Sequence, residues 1–344
     1  MRVSKLPAKE IVRRVRKIHS EIRAMVLAHI SEQDTESLSA IAAETAGDTI
    51  YAVDRVSEEG LLKLFEREFA HDTAIILIGE GLPEEGEVIP ANVKREDALY
   101  RVIVDPIDGT RGLMYDKRSA WILTGVAENK GEATSLRDIF AAVQTEIPTT
   151  KQFRSDVLWA VEGQGWGAEG VNVLNGELIP ITLQPTKATS IEHGFAMISR
   201  FFPGGKVILA EVEEALVEKL IGPVMPGKAR LFEDQYICSG GQFYELMAGH
   251  DRFNADLRPL LDGRLAIEGT QLGICCHPYD VCTVLIANEM GVVVEKPNGD
   301  SLDALLDTTS PVAWVGYGNQ QLKEAIAPVL KDVLDAQGLF VENK

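Results

Sequence analysis

A chain of 344 residues is longer than a single core usually organises, so one large or two fused α/β domains are expected. Its net charge of −18 excludes the basic stripe that a nucleic-acid polymer or an acidic membrane surface would require, and no run reaches the roughly 18 consecutive apolar residues of a membrane span. A 45% hydrophobic and 25% charged composition is that of a chain with a packed core.

Ile11, Val12, Val15, Ile18, Ile22, Met25, Val26 and Ile30 recur at spacings of three and four, which predicts a long amphipathic helix at the start. Arg, Lys, Glu and His run through it, unlike the apolar stretch of a signal peptide. Residues 32–46 carry a weaker helical pattern through Leu38 and Ile41 that stops at Gly47. A short strand over 49–53 follows, and Asp54, read first as an N-cap, opens a helix with Val56, Leu61, Leu62, Leu64, Phe65 and Phe69 on its apolar face. A strand over 74–79 ends at Glu80. The acidic stretch 83–98 reads as a solvated loop or flap, without chemistry at Glu84, Glu85 or Glu87.

The β-branched run Val102-Ile103-Val104 then meets Asp105-Pro106-Ile107-Asp108-Gly109-Thr110. Pro106 has no N–H with which to continue a ladder, and Gly109 permits a tight turn. Asp105 and Asp108 are thereby expected to face one cavity, with the Ile107 carbonyl freed as a further oxygen donor and the Gly109 and Thr110 amides forming an anion site beside it. Carboxylates at element ends, here Glu80, Asp105, Asp108 and the distant Asp280, suggest a cluster for hard divalent cations such as Mg²⁺, a pair of which can clamp the attacking and leaving oxygens of a phosphoryl transfer.

Downstream, 119–127 is a returning strand, and 138–143 reads equally as strand or helix. Residues 157–161 and 171–176 read as hairpins around Gly163, Gly165 and Gly167, which lack the following helix that a dinucleotide site requires. A second α/β region begins at 192–198, with a strand at 207–209 and helices at 211–221 and 242–247. Residues 251–269 read as an insertion or adapted substrate loop, in which Asp256 is a candidate for hydroxyl recognition. Asp280 caps a helix over 281–290, a strand occupies 292–295, and the last helix spans 320–334. Cys238, Cys275, Cys276 and Cys282 form no disulfide framework, which suggests a reduced, cytoplasmic protein; with His277 they also lack the paired spacing of a zinc site.

Asp105-Pro106-Ile107-Asp108-Gly109-Thr110 resembles the first signature of the inositol monophosphatase family, the lithium-sensitive, Mg²⁺-dependent sugar and nucleotide phosphatases. In register with it, Tyr51-Ala52-Val53-Asp54 looks like the family's strand-end aspartate, Ile78-Gly79-Glu80 like its Gly-Glu element and Tyr279-Asp280 like its second signature. Gly163 to Ala168 is similar to its glycine hairpin, and Ser239-Gly240-Gly241-Gln242 falls where its sugar-binding helix begins. The match spans about residues 49–318. It implies an α/β fold, an α+β layered sandwich of alternating helix and sheet layers. A domain over 1–150, of helices and antiparallel sheet, would carry most metal ligands; an α/β domain over 151–344 would carry Asp280 and the leaving-group pocket.

The resemblance also implies a Mg²⁺-dependent phosphomonoesterase with two or more ions, inhibited by lithium, in a family whose members are often homodimers, and its partner is a small phosphorylated metabolite. Glu80, Asp105 and the Ile107 carbonyl would hold one ion, and Asp105, Asp108 and Asp280 the other. Thr110, oriented by Asp54 or Glu80, would position the attacking water; Gly109, Thr110 and Arg111 would bind phosphate, and Ser239, Gly240, Gly241 and Gln242 the leaving group. Three departures stand out. Gly81 replaces a second glutamate, Tyr279 stands for a usual Trp, and Arg111-Gly112-Leu113 is closer to the 3′-phosphoadenosine phosphatases than to the inositol phosphatases. Two substrate classes, sugar or inositol phosphates and 3′-phosphonucleotides, therefore stay open, as does a non-catalytic sensor of metal and phosphate.

Overall fold

The computed structural model describes residues 4–44, 49–267 and 269–340, excepting the side chains of 42–44, 49–50 and 52–59. The helical period of the first segment forms α1 (Ala8–Glu32), which buries Ile11, Val15, Ile18, Ile22 and Val26 on one stripe. Three polar side chains share that stripe, and each is anchored. Arg14 is bonded to Asp72, His19 lies between the Thr124 and Thr145 hydroxyls, and Arg23 donates to Ser155 Oγ.

The chain continues through α2 (Thr35–Leu38), β1 (Ile41–Glu44), β2 (Thr49–Tyr51), α3 (Ala52–Phe69), β3 (Ile75–Gly79), β4 (Glu87–Ile89), β5 (Tyr100–Asp108), α4 (Thr110–Met114) and β6 (Ala120–Glu128). It then runs through β7 (Ile139–Ile147), β8 (Arg154–Val161), β9 (Trp166–Asn172) and β10 (Leu178–Ile179). The last third comprises β11 (Phe195–Ile198), α5 (Lys206–Ile221), α6 (Ser239–Met247), β12 (Asp251–Asp256), α7 (Asp262–Ile267), α8 (Val284–Met290), β13 (Val293–Glu295), β14 (Trp314–Tyr317) and α9 (Gln320–Ala336).

Five layers alternate. An eight-stranded sheet, ordered β10-β9-β8-β7-β6-β5-β3-β4, is antiparallel except for the parallel pair β3–β5. On one face, α1 and α3 pack Ile18, Ile22, Phe65 and Phe69 against Leu77, Val102, Ile122 and Val143. On the other, α6 and α8 pack Phe243, Leu246 and Ile286 against Ile78, Ile103, Leu123 and Leu158. Those helices also cover a four-stranded sheet, β11-β12-β14-β13, through Trp314, while Val315 on the next residue faces α5 and α9 with Leu209, Leu322 and Ile326. The expected α/β layered sandwich is what forms, each buried Leu, Ile or Phe contributing about 1.5–3 kcal/mol.

Several local expectations are corrected. The weak helix of 32–46 is a single turn, α2, followed by β1. The ladder of β5 passes Pro106 by a bulge: Asp105 faces Leu123 and Asp108 faces Trp121, so one extra residue on β5 absorbs the missing N–H. The 83–98 stretch is tied to the sheet edge by β4, which pairs with β3. Of the ambiguous 138–143, Asp138 closes a 3-10 turn and 139–143 fall in β7, and 207–209 belongs to α5, because the apolar run continues into the helical period of 211–221. Asp251–Asp256 is an interior strand, so the insertion shrinks to the segment after it. The boundary expected at 150 falls between β7 and β8, neighbours in one sheet.

Candidate active site

The strands β3 and β5 run parallel and their pairing ends at Gly79 and Val104, bringing Glu80 beside Asp105 at one rim of the large sheet. The bulge at Pro106 turns Asp105 and Asp108 to the same side. Ile107 N–H donates to Asp105 Oδ1 at 3.0 Å, fixing that carboxylate against its own turn. Gly109 has φ 99°, a conformation that a side chain would strain, and α4 starts from it. Thr110 Oγ1 then donates to the Ile107 carbonyl at 2.9 Å.

From the other half of the chain, the backbone N–H of Gly240 donates to Asp108 Oδ2 at 2.6 Å. A Cβ on Gly240 would lie 2.6 Å from Leu123 Cδ2 and 3.1 Å from that same oxygen, so the close approach requires glycine. Asp280 sits in a single 3-10 turn, Pro278–Val281, and accepts from His277 N–H at 2.6 Å. It therefore does not cap α8, which begins at Val284. Tyr279 stacks on the His277 ring with centroids 5.4 Å apart.

Asp105, Asp108 and Asp280 each offer an oxygen within 4.8 Å of the other two. Burial, then the charges of Asp108, Glu80 and Asp280, push the Asp105 carboxyl well above its ordinary range. Burial raises Asp108 to about 6, against the Gly240 hydrogen bond, and burial with the charge of Asp108 raises Asp280. Two buried acids and the half-buried Asp280 at this separation form a donor set of hard oxygens, which fits a cation such as Mg²⁺ and not a soft metal. Glu80 and Ile107 line the same pocket.

Among the expected residues, Gly109, Thr110, Arg111 and Ser239 also line it, but Gly240, Gly241 and Gln242 do not. Gly240 positions Asp108, Gly241 lies against the Tyr236 ring, and Gln242 is buried with its amide bonded to the Tyr236 carbonyl. Asp54 lies in the first turn of α3, which starts two residues earlier than expected, and its side chain is outside the described residues.

The sequence reading missed Arg258, Phe201 and Phe202, which wall the pocket. Arg258 is buried; its Nε donates to Asp256 Oδ1 at 2.8 Å, its Nη2 to Asp256 Oδ2 and its Nη1 to the Ile274 carbonyl at 2.8 Å. The Phe201 and Phe202 rings lie 4.6 and 5.4 Å from its guanidinium carbon. Arg111 lies 5.1 Å from Phe202 and 5.6 Å from Tyr51. The Asp-x-Arg spacing was the one available signal, and it needed β12 to place it.

Comparison of the sequence with family models and with curated proteins finds no match. Solved structures do match over nearly the whole chain. Leishmania major fructose-1,6-bisphosphatase superposes with a TM-score of 0.65 at 13% identity, covering 94% of both chains. The extragenic suppressor protein SuhB of Bartonella henselae gives 0.60 at 16% identity, over 93% of this chain and 98% of that one. An IMPase from Thermotoga maritima gives 0.57 at 15% identity, over 94% and 97%. The chain thus has the fold of the inositol monophosphatase and fructose-1,6-bisphosphatase structures.

Proposed function

We propose that the protein is a magnesium-dependent phosphomonoesterase acting on a small phosphorylated metabolite. The observation that carries this reading is the convergence of Asp105, Asp108 and Asp280, from distant parts of the chain, on one pocket that Thr110 and the Gly109 turn also line. Asp105, Asp108, Asp280, Glu80 and the Ile107 carbonyl would hold the magnesium. When bound, magnesium supplies Lewis acidity toward the phosphoryl oxygens and the attacking water. Because the Thr110 hydroxyl gives its proton to the Ile107 carbonyl, its lone pairs are the part that can accept from a water and fix its direction. The Gly109 and Thr110 amides would hold a phosphoryl oxygen. Lithium inhibition, a homodimer and a cytoplasmic setting belong to the same proposal; the four free cysteines favour a reducing compartment.

Asp256 bears on the ester. Its carboxylate is held by Arg258 through both oxygens, so it is not available to accept sugar hydroxyls, and the wall offered to a leaving group is guanidinium and aromatic. This favours an ester with a second phosphate over a neutral polyol. Phosphate release from inositol monophosphate, fructose 1,6-bisphosphate and 3′-phosphoadenosine 5′-phosphate, with Mg²⁺ or with EDTA, tests both points. Release is expected with Mg²⁺ alone and fastest from a bisphosphate; equal rates with EDTA would refute the metal, and preference for inositol monophosphate would refute the reading of Arg258.

A further inference from the structure

Arg101 lies on β5, between Ile76 of β3 and Ala127 of β6, on the face of the large sheet that α6 and α8 cover. It is only 7% exposed. Its Nε is buried with no hydrogen-bond partner, and among the described residues no carboxylate comes within ion-pair distance of it. The other buried arginines are all bonded: Arg14 to Asp72, Arg23 to Ser155 and Arg258 to Asp256. A guanidinium N–H buried without an acceptor loses the hydrogen bond it makes to water in the unfolded chain. The other end of the guanidinium lines a cavity, where an acceptor from outside the chain could reach it.

The guanidinium lines a cavity of about 700 Å³, within the range of small-molecule sites. None of the residues lining it lines the acidic pocket, and Arg101 is four residues, roughly 13 Å of strand, from Asp105. Ile76, Ile78, Leu305 and Leu306 form apolar walls. The other polar groups are already engaged. Arg95 donates to the Glu85 and Gly86 carbonyls, Asn129 to the Arg95 and Ala98 carbonyls, and the Asp307 carboxylate accepts from Thr309 and Ser310. Glu84, Glu85, Glu96 and Glu132 stand exposed around the rim. Burial, then the charge of Arg95, lowers the Arg101 guanidinium from its ordinary value, against the smaller support of Glu132 from a distance.

We propose that this cavity is a second ligand site, which binds a small organic carboxylate by its anionic head on Arg101 and its hydrocarbon part along Ile76, Ile78, Leu305 and Leu306. The head is a monoanion: Arg101 is the cation whose hydrogen bonds are left to give, Arg95 being turned to the Glu85 and Gly86 carbonyls, and the acidic rim disfavours a more negative head. The site is independent of the phosphatase reading.

The probe is butyrate, added to the full chain in EDTA at constant ionic strength, with butylammonium and inorganic phosphate as controls. Binding is read by the ¹⁵N resonance of the Arg101 Nε–H, assigned from its absence in Arg101→Lys, and by the melting temperature. A saturable shift of that resonance with butyrate alone, a rise in melting temperature, and binding about tenfold or more weaker in Arg101→Met would establish the site. Arg101→Lys keeps the charge and serves if Arg101→Met does not fold; it is expected to bind more weakly than the native chain. No saturable shift, an equal shift with phosphate, or unchanged affinity in Arg101→Met and Arg101→Lys would overturn the proposal.

Discussion

Two buried arginines line two separate cavities, and the chain treats them differently. Arg258, in the wall of the acidic pocket, is locked to Asp256 by two nitrogens and covered by Phe201 and Phe202. Arg101, in the second cavity, has neither a carboxylate nor an aromatic cover among the described residues. A guanidinium paired inside the chain builds a wall, whereas one left unpaired is complete only with a ligand. His19 shows a third solution, a base buried in its neutral form between two threonine hydroxyls.

The largest effect expected from this contrast is at Asp256. Asp256→Ala should cost about 3–5 kcal/mol in urea unfolding, because it strands the Arg258 charge, and adding Arg258→Met should recover much of it. A loss confined to a few tenths would remove the distinction between the two arginines. His19 comes next. Burial, then the charge of Arg23, lowers it to about 3, below its unfolded value of 6.5. The unfolded chain therefore takes up a proton first as pH falls. Its share of stability is full above pH 6.5 and drains away toward pH 3. Between pH 7 and 4.5, the native chain should lose roughly 2–3 kcal/mol more than His19→Gln does. Parallel stability–pH curves for the two would show that His19 takes up its proton in the fold as readily as in the unfolded chain.

A smaller loss is expected from Gly240→Ala. The added methyl meets Leu123 and Asp108 Oδ2, at a cost of about 1–3 kcal/mol, and displaces the carboxylate that Gly240 holds. Phosphatase activity should fall by more than the melting temperature suggests; unchanged turnover would show that the position of Asp108 is uncritical. The smallest effect is that of Arg101→Met. Without ligand it should leave stability within about 1 kcal/mol or raise it, since no bond is lost. A loss comparable to that of Asp256→Ala would mean that Arg101 has an internal partner, and would end the comparison.

The acidic pocket was largely legible in the sequence because its instructions are local. Asp105 through Thr110 contains the bulge, the left-handed turn and the helix start within six consecutive residues, and Glu80 follows a plain β-branched run. What was illegible depended on distance along the chain. Nothing near Ser239 to Gln242 says that Gly240 serves Asp108 while Gln242 turns inward to Tyr236. The 251–256 segment looked like a loop because Asp251, Arg252, Asn254 and Asp256 are polar, yet it is an interior strand whose acid is neutralised by Arg258. β14 escaped notice because Trp314-Val315-Gly316-Tyr317 is short and carries a glycine, which its packing against Leu246 requires. The isolation of Arg101 has no sequence signature, since an absent partner is a property of the assembled layers.

The central claim is that Asp105, Asp108 and Asp280 are a magnesium-dependent catalytic cluster. Its most direct test is phosphate release from the preferred ester by the native chain and by Asp108→Asn, each with Mg²⁺ and with EDTA, alongside a melting curve. The account predicts activity only in the native chain with Mg²⁺, a loss of at least about a hundredfold in Asp108→Asn, and a variant that melts no lower than the native chain in EDTA, since a buried like charge has been removed. Release that persists in EDTA, or an Asp108→Asn variant as active as the native chain, would contradict it.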